Sequence, residues 1–461
     1  KWLENGEDPE AVRWVERQQE LTEGFFETMD PRQDLKRRLT ELWDYPRVSL
    51  PVKVGQWYFF QKNSGLQHQP VLYRQQGLQG RPEVVMDPNL WSTDGTVAMS
   101  NFSVDDGARY LAYTVSASGS DRQEIHIHDL EKKENLDEVI AWCRFTNMAW
   151  VQDQGFYYSR YPKPGTVPPE DEVNFNQVYW HTLGTSQDQD VLILERPDFK
   201  ELGFSPFLNV DQEYLLIRVH RGTDSRNGIY YRKQGQDNAF VRLLEPGEAS
   251  CDFLGNEGRT LYFLTDLGAP KGRIISIDLD RASRENWAEV LPEGDDVISQ
   301  ASYIQGEFVV SFMHQAHSLL RIYGSDGALR KDLPLPTMGS IEGLSAKQNQ
   351  TELFIGFASF LYPSVNLHYD LGTGILKPFG QRELRFDPEQ FETSQVFYPS
   401  KDGTQVSMYL VHRRGLELNG NNPCLLYGYG GFNIPVTPSF AASRILWLEL
   451  GGVYAVANLR G

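Results

Sequence analysis

The chain has 461 residues and a mass of 52.7 kDa, with 40% hydrophobic and 23% charged residues, so it folds, and at roughly 100–200 residues per domain it holds two to four domains or one large repeat plus another part. Forty-four Lys+Arg against 62 Asp+Glu leave a net charge of −18, a field that repels polyanions on average and argues against a nucleic-acid partner. Three widely spaced cysteines (Cys143, Cys251, Cys424) without a CxxC motif fit a reduced, cytoplasmic setting, and neither a signal peptide nor a run of about 18 apolar residues is present to call for a membrane.

The first 45 residues read as helix. Asp8-Pro9 pairs an N-cap with a proline at the first helical position. Val12, Val15, Leu21 and Phe25-Phe26 follow at near-helical spacing. Asp30-Pro31 repeats the start signal, Leu35, Leu39 and Leu42-Trp43 supply an apolar stripe, and Tyr45-Pro46 ends it. Within this stretch Lys36-Arg37-Arg38 reads as a solvated helix face.

From about Val48 the texture changes to aromatic and β-branched runs separated by Gly, Asp, Asn and Ser, which is strand and turn chemistry. A short aromatic-aliphatic strand recurs around Tyr58, Tyr110, Tyr157, Tyr214, Tyr262, Phe308 and Phe354, at intervals of 46 to 57 residues. Each is followed by a second strand of similar grammar, such as Val71-Leu72-Tyr73, Ile125-His126-Ile127 and Val365-Asn366-Leu367. Seven all-β units near 50 residues predict a seven-bladed β-propeller, because a four-stranded sheet that cannot bury both faces alone does so by stacking radially on its neighbours. A pair of β-sandwiches with accidental regularity is the alternative.

The period stops near Phe391. Ser394–Tyr398 and Val406–His412 flank an Asp-Gly turn and predict a hairpin. Pro423 to Tyr427 is apolar and runs into Gly428-Tyr429-Gly430-Gly431-Phe432; a helix around Ser443–Leu450 and a strand Val453–Ala457 follow. Strand, glycine-rich loop, helix and strand open an α/β sheet. Most of that sheet is unbuilt at Gly461, so the chain is expected to be part of a longer one.

That glycine-rich loop is the most informative segment for chemistry. Glycines directly after a strand expected to be buried let backbone approach a ligand closely, and in α/β-hydrolases such a loop supplies half of the oxyanion hole. A tyrosine there donates its hydroxyl to developing negative charge. The plainer reading is a tight turn whose aromatics pack in the core. No G-x-S-x-G motif occurs in the chain. His126 and His128 share one strand face, as metal ligands could, but no third ligand is suggested, and a surface pair is the simpler reading.

On these residues the chain resembles the prolyl oligopeptidase family, serine peptidases in which a seven-bladed propeller caps an α/β-hydrolase domain. The resemblance runs over essentially the whole length. Its most specific parts are Tyr427-Gly428-Tyr429-Gly430-Gly431-Phe432-Asn433, Phe397-Tyr398-Pro399-Ser400-Lys401-Asp402-Gly403-Thr404 and Ala455-Val456-Ala457-Asn458-Leu459-Arg460-Gly461. Asp87-Pro88-Asn89 and Ser116-Ala117-Ser118-Gly119-Ser120-Asp121 match as well. The resemblance implies three parts: residues 1–47 as the N-terminal helices of the hydrolase domain, 48–392 as the propeller and 393–461 as the resumed hydrolase domain. It implies that Tyr429 is the oxyanion-hole tyrosine and that Phe432 lines the pocket for a proline ring. It also implies that Tyr157, or its neighbour Phe156, is a propeller aromatic facing that pocket, an ordinary blade-core aromatic being the other reading of Tyr157. The family's nucleophilic Ser, its Asp and its His lie beyond Gly461. The implied activity is hydrolysis of short peptides on the carboxyl side of proline, by a monomer without cofactor or metal, with the propeller as size filter. The alternatives are a related oligopeptidase with another specificity, such as the basic-residue preference of oligopeptidase B, and a non-catalytic propeller that binds a partner.

Overall fold

Seven antiparallel sheets succeed one another between residues 47 and 379, each built from one contiguous stretch: 47–86, 97–143, 149–194, 202–244, 251–291, 297–333 and 340–379. These are the seven blades of the expected propeller, numbered here in chain order. The computed structural model describes residues 2–29, 31–380, 384–431 and 434–459. It divides into one unit of Pro46–Arg382 with Thr437–Ser439, and a second of Lys1–Tyr45, Glu383–Val436 and Phe440–Gly461. Residues 384–392, expected with the propeller, therefore fall in the second unit, where Phe386 stacks on Phe440 with ring centroids 6.0 Å apart.

The recurring aromatic strand is the second strand of each blade. Its runs are apolar on both faces because a neighbouring blade covers each side. In blade 7, Leu353, Phe354, Ile355, Phe357 and Ala358 are all at most 1% exposed. Successive blades share apolar clusters: Ile125, Ile140 and Phe156 join blades 2 and 3, Phe204, Ile217 and Val178 join blades 3 and 4, and Val309, Leu320 and Ile355 join blades 6 and 7. The outermost strands read differently. Leu329–Leu333 in blade 6 exposes four of its five residues, since nothing packs outside it.

No blade borrows a strand, so side chains close the ring between blades 7 and 1. Tyr58 meets Phe354 edge-on at 5.8 Å, and Phe379 packs on Phe60 and Phe354 at 6.1 and 5.2 Å. Beside them the Glu352 carboxylate is paired with the Lys53 ammonium, accepts from the Tyr58 hydroxyl (2.9 Å) and lies 2.9 Å from His368 Nε2. Asn366 donates to the carbonyls of Ser49 (2.7 Å) and Val48 (3.2 Å), and Ser345 to that of Pro51 (2.6 Å). Leu50 fills a notch that only glycine leaves, since a side-chain carbon on Gly343 would sit 2.8 Å from its Cδ1.

In the second unit, α1 (Pro9–Glu27) begins as the sequence predicts, the Asp8 carboxylate accepting from the Glu10 amide at 2.8 Å. Helix α2 (Arg32–Trp43) starts at Pro31 without a side-chain cap, and the expected capping residue Asp30 lies outside the described residues. The predicted hairpin is β1 (Phe391–Pro399) and β2 (Gln405–Arg413), which join β3 (Cys424–Gly428) and β4 (Val453–Ala457) in the order β1-β2-β4-β3, with β3 and β4 parallel. Helix α3 (Ala442–Glu449) connects β3 to β4 and buries Ile445 and Leu448. Arg38 on α2 forks onto Glu449 on α3 at 2.8 and 2.6 Å, which ties the first residues of the chain to its last. Among the described residues no helix is long and apolar enough to cross a membrane.

Candidate functional site

The parallel pair β3–β4 sets the direction of the site. In open α/β sheets ligands bind beyond the carboxyl ends of parallel strands, and Tyr429 is the first residue past the carboxyl end of β3, whose five residues are exposed where burial was expected. Its neighbour Gly428 faces Ala457 across the ladder, and a side-chain carbon there would lie 3.0 Å from Leu459 Cδ1. The chain then turns through Gly430 and Gly431, with the Ile434 amide bonded to the Gly431 carbonyl at 3.1 Å. The Tyr429 ring lies across Gly431: a side-chain carbon on Gly431 would come within 2.8 Å of the hydroxyl. Tyr429 is 38% exposed. At the opposite end of the pair, where β4 begins, Trp447 on α3 donates its indole N–H to the Val453 carbonyl at 2.9 Å, and Gly452 leaves room for that indole. Phe432, the residue expected to line a proline pocket, and Asn433 lie outside the described residues.

Tyr157 lies in the propeller unit. Its strand pairs with Ala149 on one side and Trp180 on the other. The ring is 5% exposed, tilted on Trp180 at 4.8 Å, and belongs to the cluster between blades 3 and 4. Burial pushes its hydroxyl pKa up, opposed by a hydrogen bond with Gln234 and by the Arg232 charge. Its neighbour Phe156 is fully buried between blades 2 and 3. Tyr157 therefore has the packing of a blade-core aromatic.

The propeller encloses a cavity of about 790 Å³ to which every blade contributes, through Val54, Ser103, Ala149, Phe207, Phe253, Ala301 and Ala346 in turn. One mouth of this channel is crossed by polar links that the sequence did not signal. The Asp106 carboxylate of blade 2 accepts from Gln212 Nε2 of blade 4 (2.7 Å) and Lys347 Nζ of blade 7 (2.9 Å). Asn256 of blade 5 donates to Asp211 (2.7 Å), and its backbone exchanges two hydrogen bonds with the Gln348 amide side chain. These residues all sit at or beside the turns between first and second strands. No periodicity marks such partners, because each pair spans 45 residues or more.

The histidine pair has ordinary partners. His126 stacks on Tyr113 at 5.6 Å, and burial lowers its pKa despite Glu124. His128 Nδ1 lies 2.8 Å from Asn135 Oδ1. Among the described residues no group of three His, Cys, Asp or Glu could hold a metal ion. All three cysteines are free, Cys143 and Cys251 buried and Cys424 exposed.

The family model described as the prolyl oligopeptidase N-terminal beta-propeller domain matches residues 1–382. A prolyl endopeptidase from Elizabethkingia meningoseptica is 32% identical over 463 residues, covering all of this chain and 65% of that protein. One from Elizabethkingia miricola is 33% identical with the same coverage. A solved prolyl endopeptidase structure superposes with a TM-score of 0.92 at 31% identity, over all of this chain and 68% of its own. Prolyl oligopeptidase B from Galerina marginata, bound to a 25mer macrocyclization substrate, shares the fold with a TM-score of 0.92 at 24% identity. The chain spans 65% of the length of these two curated relatives.

Proposed function

The chain belongs to the prolyl oligopeptidase family, and from that premise we propose that the protein carrying it is a serine endopeptidase that hydrolyses short peptides on the carboxyl side of proline. The observation that carries this reading is the placement of Tyr429, half-exposed on a glycine loop at the carboxyl end of a parallel strand. On this reading the unit of N-terminal helices and β1–β4 is the opening of an α/β-hydrolase domain, with the propeller inserted between its parts. Tyr429 donates its hydroxyl to the oxyanion of the tetrahedral intermediate, beside a backbone N–H. Phe432 supplies a flat apolar surface for the pyrrolidine ring. Tyr157 comes to this pocket by the family resemblance alone, since its burial supports a packing role. The nucleophile, base and orienting acid belong to the part of the relatives that this chain does not span.

The propeller channel supports a filtering role. Its mouth is bridged by Asp106, Gln212 and Lys347, so an extended peptide fits such a passage better than a folded domain does. A monomer in the cytoplasm, acting on proline-containing peptides, completes the proposal; the three free thiols support a reducing compartment. The test is a substrate panel on the complete protein. Peptides with proline before the scissile bond should be cleaved at least a hundredfold faster than those with lysine or arginine. A preference for the basic residues moves the protein to another branch, and no turnover with any member leaves a binding propeller.

A further inference from the structure

On the outer rim of the propeller, blades 3 and 4 enclose a cavity of about 380 Å³ away from the central channel. One wall is apolar, with Ile193 and Leu194 from the last strand of blade 3 and Phe240 from the loop before the last strand of blade 4. The lining also carries three guanidinium groups, Arg196, Arg232 and Arg242. Two are already engaged. Arg196 forks onto Asp198 at 2.8 and 2.8 Å and donates to the Tyr230 hydroxyl at 3.0 Å. Arg242 holds Glu245 at 3.1 Å.

Arg232 differs. Its side chain is 11% exposed, yet its Nε–H is a buried donor without a hydrogen-bond partner among the described residues. Its ion-pair contact is Asp237 at 3.8 Å, beyond hydrogen-bonding distance, and that carboxylate is fully exposed. The guanidinium sits over the Phe240 ring, 4.7 Å from its centroid. Buried donors are nearly always satisfied, and one that is not marks a place for a group of matching chemistry. The second lining carboxylate, Glu195, already accepts from Gln177 Nε2 at 2.7 Å.

We infer that this cavity binds a small organic oxyanion, with its charged head on Arg232 and its apolar body against Ile193, Leu194 and Phe240. A planar guanidinium matches the fork of a phosphate or carboxylate. The contact with Phe240 places the guanidinium beside the apolar lining. The volume exceeds what inorganic phosphate fills, which leaves the apolar wall to select the body of the ligand.

Isothermal titration of the protein with phenyl phosphate tests this. Saturable one-to-one binding is expected, tighter than that of inorganic phosphate and at least tenfold weaker in Arg232→Gln. Arg218→Gln is the control, removing an exposed arginine paired with Asp252 at 2.7 Å outside the cavity. No saturable binding, unchanged affinity in a folded Arg232→Gln variant, or equal affinity for benzylamine would each overturn the inference. Inorganic phosphate binding as tightly as phenyl phosphate would overturn the role of the apolar wall. Should Arg232→Gln fail to fold, a crystal of the unaltered protein soaked in phenyl phosphate decides: an oxyanion within hydrogen-bond reach of the Arg232 guanidinium is expected, and density only elsewhere rejects the site.

Discussion

The Tyr429 hydroxyl lies where a side chain on Gly431 would stand, 2.8 Å from the position of its first carbon. The glycine therefore decides where the hydroxyl can rest. Replacing Gly431 with alanine forces the Tyr429 ring aside, whereas Tyr429→Phe keeps the ring and removes the donor. In the complete protein, Tyr429→Phe is expected to lower turnover by about 3 kcal/mol of transition-state stabilisation at most, with KM little changed. Gly431→Ala should give a loss of the same sign with Tyr429 intact. Steady-state kinetics on a proline-containing peptide measures both, and unchanged turnover in Tyr429→Phe would remove this residue from the mechanism.

A second prediction concerns the ring closure. Glu352 holds Lys53, Tyr58 and His368 together, and its side chain is 11% exposed. Burial would raise the carboxyl pKa, but Lys53, Tyr58 and His368 outweigh it and hold it below the usual range. Removing the carboxylate strands a partly buried ammonium, a change that costs about 3–5 kcal/mol in fully buried pairs and less here, where Lys53 is 22% exposed. Glu352→Ala should lower the propeller's melting temperature more than Glu352→Gln, which keeps an acceptor for Tyr58. The sign in pH follows from the depressed pKa: the stabilisation is present above the ordinary glutamate range and is lost as pH falls through the folded value. Melting curves of the wild type and the two variants from pH 7 down to about pH 2.5 measure it; a wild type that loses no more stability than Glu352→Gln would exclude the pair as a contributor.

The blades were legible because their second and third strands are buried on both faces. Runs such as Tyr214-Leu215-Leu216-Ile217 and Leu261-Tyr262-Phe263-Leu264 carry the period in plain aromatic and aliphatic residues. The other two strands of each blade left weaker traces. First strands line the channel and are interrupted by register shifts, as between Met99 and Asn101 or Ile341 and Gly343. Last strands are largely exposed and carry no long apolar run. At the site, the glycines around Tyr429 announced a close approach, but not what approached; that proved in part to be the tyrosine's own ring. The Asp106 link was invisible for a different reason. A polar partner 241 residues away has no local signature, and only the closed ring brings Lys347 to it.

His181 supplies a pH prediction with the opposite sign. The ring is fully buried, its Nδ1 lies 2.7 Å from Asp190 Oδ1, and Glu138 of blade 2 stands 3.8 Å from Nε2. Tyr158 donates to the other Asp190 oxygen at 2.6 Å. Burial pushes the imidazole pKa down, but the Asp190 hydrogen bond and the charges of Asp190 and Glu138 outweigh it and raise the pKa to about 9. A raised folded-state value means that the stabilisation is complete below about 6.5, the unfolded value, and is lost as pH rises through about 9. The loss is at most about 3 kcal/mol. Urea unfolding between pH 6.5 and pH 9.5 should show a falling midpoint for the wild type and a flatter one for His181→Gln. Parallel curves would mean that His181 is neutral in the folded state.

The channel mouth gives the last prediction. Asp106 bonds both Gln212 and Lys347, and its side chain is 55% exposed, with Lys347 at 39%. Exposed pairs of this kind contribute about 0–1 kcal/mol and weaken with salt. Asp106→Ala should therefore leave the melting temperature nearly unchanged while freeing three turns at once. The rest of the blade 2 turn keeps its own support, because Asp105 accepts from the amides of Gly107, Arg109 and Tyr110 at 3.0, 2.7 and 2.6 Å. Hydrogen exchange should then speed up at the Gln212 and Lys347 turns while the flanking strands stay protected, and 0.5 M salt should reproduce part of the effect in the wild type. If the propeller filters substrates, the same variant should cleave longer peptides faster relative to short ones. Faster exchange without that change would place the filter elsewhere, and exchange unchanged in both turns would mean that the links across the mouth hold nothing closed.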